Sequence, residues 1–277
     1  MWPIVATPWR EGQNGAVGNG LYTMSDIQSF KNRAQAGKLL AERLGAYARH
    51  SGAAHPDQQH PAAAPPDVLV LALPRGGVPV AFAVAMSLDA ELDILLVRKL
   101  GMPGHEEFAI GAVGSGGVRV LQPGVPGLMG VSAQQVEAIT AREMAEIARR
   151  ERLYRGGRAP VRLGGRTVIL VDDGIATGST MQAAVLMARQ QQAARVVVAV
   201  PVAPPDTLGA LAPMVDELVC LLAPPRFRAV SQWYRDFDQT SDEEVQDLLA
   251  MAWRSRDTPT NPTERTEHGQ TDDGNRS

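Results

Sequence analysis

Thr167-Val-Ile-Leu-Val-Asp-Asp-Gly-Ile-Ala-Thr-Gly-Ser-Thr180 is the stretch that decides how this 277-residue chain is read. Val168 to Val171 has the β-branched content and length of a buried central strand, and the segment after Ser179 reads as a helix. Between them lie two adjacent carboxylates, Asp172 and Asp173, and a loop of glycine and hydroxyl residues. The loop therefore sits where a helix N-terminus offers free backbone N–H groups, and an anion is its natural ligand. Gly174 and Gly178 allow a tight turn and a close backbone approach, while Thr177, Ser179 and Thr180 add hydroxyl donors. The two carboxylates would repel a bare phosphate unless sugar hydroxyls or a metal meet them. A P-loop needs a lysine that Gly178-Ser179-Thr180 lacks. An aspartyl-phosphate phosphatase would separate its two aspartates by one residue. An ordinary Asp-capped turn needs neither the acidic pair nor three hydroxyls together.

An adjacent acidic pair can hold the vicinal hydroxyls of a ribose while the following loop holds its 5′-phosphate. The stretch resembles the phosphoribosyl diphosphate (PRPP) motif of the type I phosphoribosyltransferases: a hydrophobic strand, two acidic residues, then a loop of the form G-x-A-T-G-x-T. The resemblance implies that Asp172 and Asp173 hold the ribose hydroxyls. It also implies that Gly174, Ile175, Ala176, Thr177, Gly178, Ser179 and Thr180 hold the 5′-phosphate.

The surrounding sequence alternates strands and helices. Strands are expected at Val68 to Leu73, Leu92 to Val97, Val168 to Val171, Arg195 to Val200 and Leu218 to Leu222. Helices are expected at Val78 to Ser87, Ser132 to Tyr154 and Thr180 to Gln191. This order predicts an α/β fold, a mainly parallel sheet with helices on both faces, whose ligands collect at the carboxyl ends of strands. Pro74-Arg75-Gly76-Gly77 follows the first strand and puts a guanidinium and flexible backbone at such an end. In the resembling family this loop binds pyrophosphate, so Arg75, Gly76 and Gly77 are expected there.

After Leu92 to Val97 comes Arg98-Lys99-Leu-Gly-Met-Pro-Gly-His105-Glu-Glu107. Lys99 stands out because Lys31 and Lys38 are the only other lysines. A compact ammonium on a loop can move onto a leaving pyrophosphate. The segment is similar to the mobile loop of orotate phosphoribosyltransferases. Arg98, Lys99 and His105 fit it in kind, although the histidine spacing is offset and Met102 stands where that enzyme has another lysine. Arg98 and Lys99 are thus candidates for the pyrophosphate, and Lys99 and His105 join Asp172 and Asp173 as catalytic candidates. Phe108 to Leu121, broken at Gly114-Ser-Gly-Gly117, predicts a β-hairpin, which in the family is a mobile cover that excludes water.

The family also carries a small variable hood over the acceptor. The candidate is residues 226–253, where Trp233, Tyr234 and Phe237 could stack a planar base and Gln232 or Asp236 could read its edge; clustered aromatics equally pack a terminal helix. A capped helix is expected from Asp238 to Leu249. Arginines 149, 150, 152, 155, 158, 162 and 166 suggest either an RNA or partner surface or, given interleaved Glu143, Glu146 and Glu151, a solvated helix face.

The resemblance implies transfer of the 5-phosphoribosyl group of PRPP to a nitrogenous acceptor with release of pyrophosphate. Mg2+ would bridge substrate oxygens and reach Asp172 and Asp173 only through water. A PRPP-binding regulator without turnover, or a hydrolase using water as acceptor, are the alternative readings, and the family commonly forms homodimers. The net charge of −3 gives no general pull towards nucleic acid. The single cysteine, Cys220, excludes an internal disulfide framework and reads as a packed strand residue. No signal peptide or membrane span is read, so a cytoplasmic enzyme is expected. Residues 1–25 and 254–277 are expected to be disordered, 50–66 to be a surface linker, and 26–253 to form the domain.

Overall fold

Strand β1 (Val68–Ala72) is apolar at every position and buried at every position, as a strand covered on both faces requires. In the computed structural model, which describes residues 28–49, 67–122, 124, 127 and 130–257, it lies inside a five-stranded parallel sheet. The order across that sheet is β2 (Glu91–Ile94), β1, β6 (Thr167–Val171), β7 (Arg195–Val202) and β8 (Glu217–Leu222). Val70 is opposite Leu92 on one side and Ile169 on the other. Alternation along β1 separates two cores. Val70 and Ala72 pack with α1 (Arg33–Arg43), α2 (Gly77–Leu88), α3 (Ala133–Arg155) and α6 (Asp242–Asp257). Leu69 and Leu71 pack with α4 (Ser179–Gln190) and α5 (Pro205–Leu211).

The chain winds from β1 outward to β2 in one direction, and from β6 through β7 to β8 in the other. The β1–β6 junction is therefore the place where the strand order reverses, and a crevice opens beyond the carboxyl ends of its two strands. The loops that follow β1 and β6 are two of the three segments that the sequence marked for a polyanion.

Several expected elements change form. Leu92 to Val97 is not one strand: β2 ends at Ile94, and the chain restarts as β3 (Val97–Met102) in a second, antiparallel sheet with β4 (His105–Gly114) and β5 (Val118–Leu121). Leu95 and Leu96 are buried; the Leu95 amide makes the last bond to β1, at Ala72 O, and the Leu96 amide turns away to Ser115 Oγ. Arg98 and Lys99 thus lie in a strand of that second sheet. The expected hairpin is β4–β5, joined by a 3-10 turn at Ser115–Gly117 and extended by β3. Helices α1 and α5 were not anticipated. The terminal helix begins later and ends later than expected, with Ser241 Oγ accepting the Glu244 amide at its start. Residues 254–257, assigned to the tail, continue it. The other expected disordered or linker segments lie outside the described residues.

The long helix α3 starts in a capping box at Ser132 and Gln135 and ends at Gly156 in the left-handed region. Its arginines are mostly paired. Arg149 and Arg150 bind Glu146. Arg155 is 3% exposed and binds Asp93, itself 2% exposed, at 3.0 Å. Asp93 also accepts the amides of Ile94 and Val161, and Arg155 donates to Ile94 O, so the buried pair is satisfied on both sides. Arg166 bridges Asp67 and Glu91. These arginines join the last turn of α3 and the entry to β6 onto the sheet. Cys220 lies in β8, where burial pushes its thiol up to about 12. No helix among the described residues is long and apolar enough to cross a membrane.

Candidate functional site

The two loops at the β1–β6 junction touch. A Cβ on Gly77 would lie 2.8 Å from Val171 O and 3.0 Å from Asp172 Cα, and one on Gly76 would collide with the Asp173 carboxylate. Only glycine lets the Arg75–Gly77 loop, whose Pro74–Arg75 peptide is cis, press against the acidic pair. Arg75 itself reaches away towards the start of α6, with Nη1 3.5 Å from Asp242 Oδ1. Asp242 also accepts the Tyr154 hydroxyl, and that hydrogen bond holds its carboxyl below the usual range.

Beyond Asp173 the loop turns under Gly178, in the left-handed region at φ 78°, where a Cβ would also meet Thr207 Cγ2 at 2.7 Å. Thr207, from α5, donates to Ala176 O at 2.7 Å and supports the turn from below. Ala176, Thr177, Ser179 and Thr180 are exposed, and α4 begins at Ser179 with no side-chain cap on its N-terminus. An anion there meets first-turn amides and hydroxyls. Ile175 is a correction. Its side chain is in the core and its amide donates to Val202 O at 2.9 Å, so it anchors the loop and has no N–H left for a phosphate. Gly174 is likewise packed, with space for no side chain beside Val230 and Val202.

The acidic pair is asymmetric. Asp172 Oδ1 accepts the Asp173 amide at 2.8 Å. Burial and the neighbouring Asp173 carboxylate push the Asp172 carboxyl well above the usual range. Burial raises Asp173 as well, against the pull of a guanidinium that the sequence reading missed: Arg33 Nε donates to Asp173 Oδ2 at 2.8 Å. Arg33 comes from the first turn of α1, 140 residues earlier. Its one sequence signal is a cation at a helix N-terminus, the end where the helix dipole disfavours it.

Arg98 does not extend into the crevice as a free cation, because Glu143 of α3 holds its Nε. It nonetheless lines a cavity of about 40 Å³ together with Pro74, Arg150 and Thr180. The start of the loop after β1, Arg98 and Thr180 thus meet around one space. Lys99 is exposed on β3 opposite Ala112, and His105 opens β4 with its ring edge-on to Phe108. Both belong to the antiparallel sheet and to neither crevice loop.

At the aromatic group near the C-terminus the packing alternative holds for Tyr234 and Phe237. Tyr234 is 6% exposed, its ring packed between Phe30 and Phe237, and its hydroxyl donates to Asp173 O at 2.6 Å. Phe237 carries the Arg33 guanidinium at 3.9 Å from its ring centre. Gln232 Oε1 caps the amides of Arg228 and Ala229. Tyr234 and Phe237 pack beneath Asp173 and its Arg33 partner, while Gln232 caps its own turn. Trp233 differs, since its Nε1 is buried with no hydrogen-bond partner among the described residues.

A sequence profile described as the phosphoribosyl transferase domain matches residues 59–216, more than half of the chain. The chain belongs to that family. This phosphoribosyl transferase domain is 46% identical over 228 residues to a protein of Mycobacterium tuberculosis provisionally named a phosphoribosyl transferase. The match covers 82% of the present chain and 48% of the relative, so the chain spans about half the length of the curated relatives it matches. Among solved structures, the protein TT1426 from Thermus thermophilus is 41% identical, with a TM-score of 0.67 over 81% of this chain and 99% of that one. A parallel sheet flanked by helices is the architecture of the type I phosphoribosyltransferase family to which the chain belongs.

Proposed function

We propose that this domain binds PRPP and transfers its 5-phosphoribosyl group to a nitrogenous acceptor with release of pyrophosphate. The observation that carries the reading is the direct packing of the Arg75–Gly77 loop against Asp172 and Asp173 at the β1–β6 junction. One substrate with a phosphate, a diol and a diphosphate can span those three features at once. Ala176 to Thr180 take the 5′-phosphate through amides and hydroxyls. Asp172 and Asp173 accept from the ribose hydroxyls. The Gly76–Gly77 backbone faces the diphosphate, and Arg75 turns to it from its exposed and weak tie to Asp242.

In the reaction the bond from ribose C1 to the diphosphate oxygen breaks, a bond from C1 to the acceptor nitrogen forms, and that nitrogen gives up a proton. Positive charge develops on the ribose ring, so the protein's work is placement and charge complementarity more than nucleophilic attack. Two adjacent carboxylates beneath the ring favour that charge. Among the described residues no group of three or more His, Cys, Asp or Glu side chains converges as a protein-made metal cage. The donor set fits Mg2+ held chiefly by substrate oxygens and water, with Asp172 and Asp173 at its edge, where it would neutralise the departing diphosphate.

The test is pyrophosphate release from PRPP and Mg2+ across a panel of nucleobases and simple amines. Release that depends on one acceptor and falls by about 100-fold or more in Asp172→Asn/Asp173→Asn is the expected result. Binding without release under every acceptor would favour the regulator reading. Release that needs no acceptor would favour the hydrolase.

A further inference from the structure

The segment at the start of α1 is built onto the C-terminal hood segment. Phe30 N donates to Trp233 O, Arg235 N to Phe30 O and Asp236 N to Lys31 O, a short parallel ladder between chain regions about two hundred residues apart. Asn32 caps α1 by accepting the Gln35 amide, which fixes where the helix begins. Arg33 is therefore the first helical residue, and its guanidinium is held at three points: Asp173 Oδ2 at 2.8 Å, Asp238 O at 2.7 Å and the face of Phe237. Its side chain is only 12% exposed.

A buried arginine at a helix N-terminus adds one positive pole to another, and the anion that both face is Asp173. Tyr234 holds the same residue by its main-chain oxygen. Asp173 is thus gripped from side chain and backbone by residues outside the motif that carries it, whereas Asp172 receives the Asp173 amide. An ionised carboxylate has lone pairs for about four hydrogen bonds, and Arg33 takes one of them. The neighbouring Asp172 carboxyl engages another, and those left over can accept a sugar hydroxyl.

We infer that Arg33 is a positioning residue for the ribose end of the site: it neutralises and orients the Asp173 carboxylate so that this group can accept a sugar hydroxyl beside its acidic neighbour. The inference rests on the PRPP reading above. It separates Arg33 from a plain structural strut because its effect must pass through Asp173, and so must fall on ligands that contain the ribose and spare those that do not.

The experiment is calorimetric titration of PRPP and, separately, of inorganic pyrophosphate, each with Mg2+, into wild type, Arg33→Ala, Arg33→Lys, Asp173→Asn and Arg33→Ala/Asp173→Asn. Arg43→Ala, an exposed change at the far end of the same helix, serves as control. Arg33→Ala is expected to weaken PRPP by about 10- to 100-fold, the range for losing a charge-assisted bond to a buried group, and pyrophosphate by less than about 3-fold. Arg33→Lys should recover part of the loss, because an ammonium restores the charge without the planar fork. In the Asp173→Asn background the arginine change should add less than about 3-fold. Wild-type affinity for PRPP in Arg33→Ala, equal losses for both ligands, or a full additional loss in the double variant would each overturn the inference. Failure of the wild type to bind PRPP would instead remove the reading beneath it, and the inference with it. Should Arg33→Ala not fold, Arg33→Lys and Arg33→Gln carry the same comparison of the two ligands.

Discussion

An Asp172→Asn variant is expected to melt above wild type at pH 7 while binding PRPP about 10- to 100-fold more weakly. The carboxyl is raised in the folded protein by burial and by Asp173. A group whose folded pKa exceeds its unfolded value binds its proton more tightly when folded. Wild type therefore has its full stability from this group below the ordinary carboxylate range and loses it as pH rises through the folded value. Asparagine cannot ionise, and its carbonyl oxygen can still accept the Asp173 amide. The variant should then gain about 2–8 °C in Tm at neutral pH, equivalent to roughly 1–2 kcal/mol in a domain of this size. The gain should shrink towards zero as the pH falls to about 4. Thermal melts at several pH values check it. A variant less stable than wild type at pH 7, or a gain that grows on acidification, would show that Asp172 is not held against its charge.

Asp93→Ala is expected to have the largest effect on stability. The substitution leaves Arg155, 3% exposed, without its buried carboxylate and strips acceptors from the Ile94 and Val161 amides. Removing one partner of a buried ion pair costs about 3–5 kcal/mol. The expected fall in Tm is roughly 6–20 °C. Asp93→Asn, which keeps an acceptor for the backbone amides, should fall less. The site lies away from the phosphate loop, so variants that remain folded at low temperature should retain ligand affinity. A loss under about 1 kcal/mol for Asp93→Ala would mean that water or a shifted Glu151 takes over the arginine.

The expected stability gain at Asp172 and loss at Asp93 express the same physics with opposite outcomes. Both are acids beside the sheet, but Asp93 is paired and hydrogen-bonded by its own fold, while Asp172 has another carboxylate as its nearest charge. Under the PRPP reading, Asp172 is an acid kept for a ligand at some cost in stability.

What could be read from the sequence was local. The strand, acidic pair and glycine-hydroxyl loop announce themselves within fourteen consecutive residues, from Thr167 to Thr180. The parallel sheet followed from the alternation of apolar runs with helical ones. What could not be read was long-range. Nothing near Arg33 names Asp173, and nothing near Thr207 names Ala176. Leu92 to Val97 looks like one strand because burial, which the apolar residues report, continues through Leu96, past the last bond to β1 from Leu95 N to Ala72 O. The aromatic group left two readings open for a related reason. Tyr234 and Phe237 have the composition of a stacking wall, yet packing under Asp173 and ligand recognition demand the same residue types. Arg149 and Arg150 do pair along the helix face with Glu146, but nothing local to Arg155 and Arg166 names Asp93, Asp67 and Glu91 as their partners.

The central claim is that the crevice at the β1–β6 junction is a PRPP site. Calorimetric titration of PRPP with Mg2+ into the wild type and into Asp172→Asn/Asp173→Asn, with both proteins checked for native melting, tests it most directly. The account predicts saturable binding at one PRPP per chain in the wild type and a loss of about 100-fold or more in the double variant. Absence of binding by the folded wild type, or equal binding by the two proteins, would contradict it.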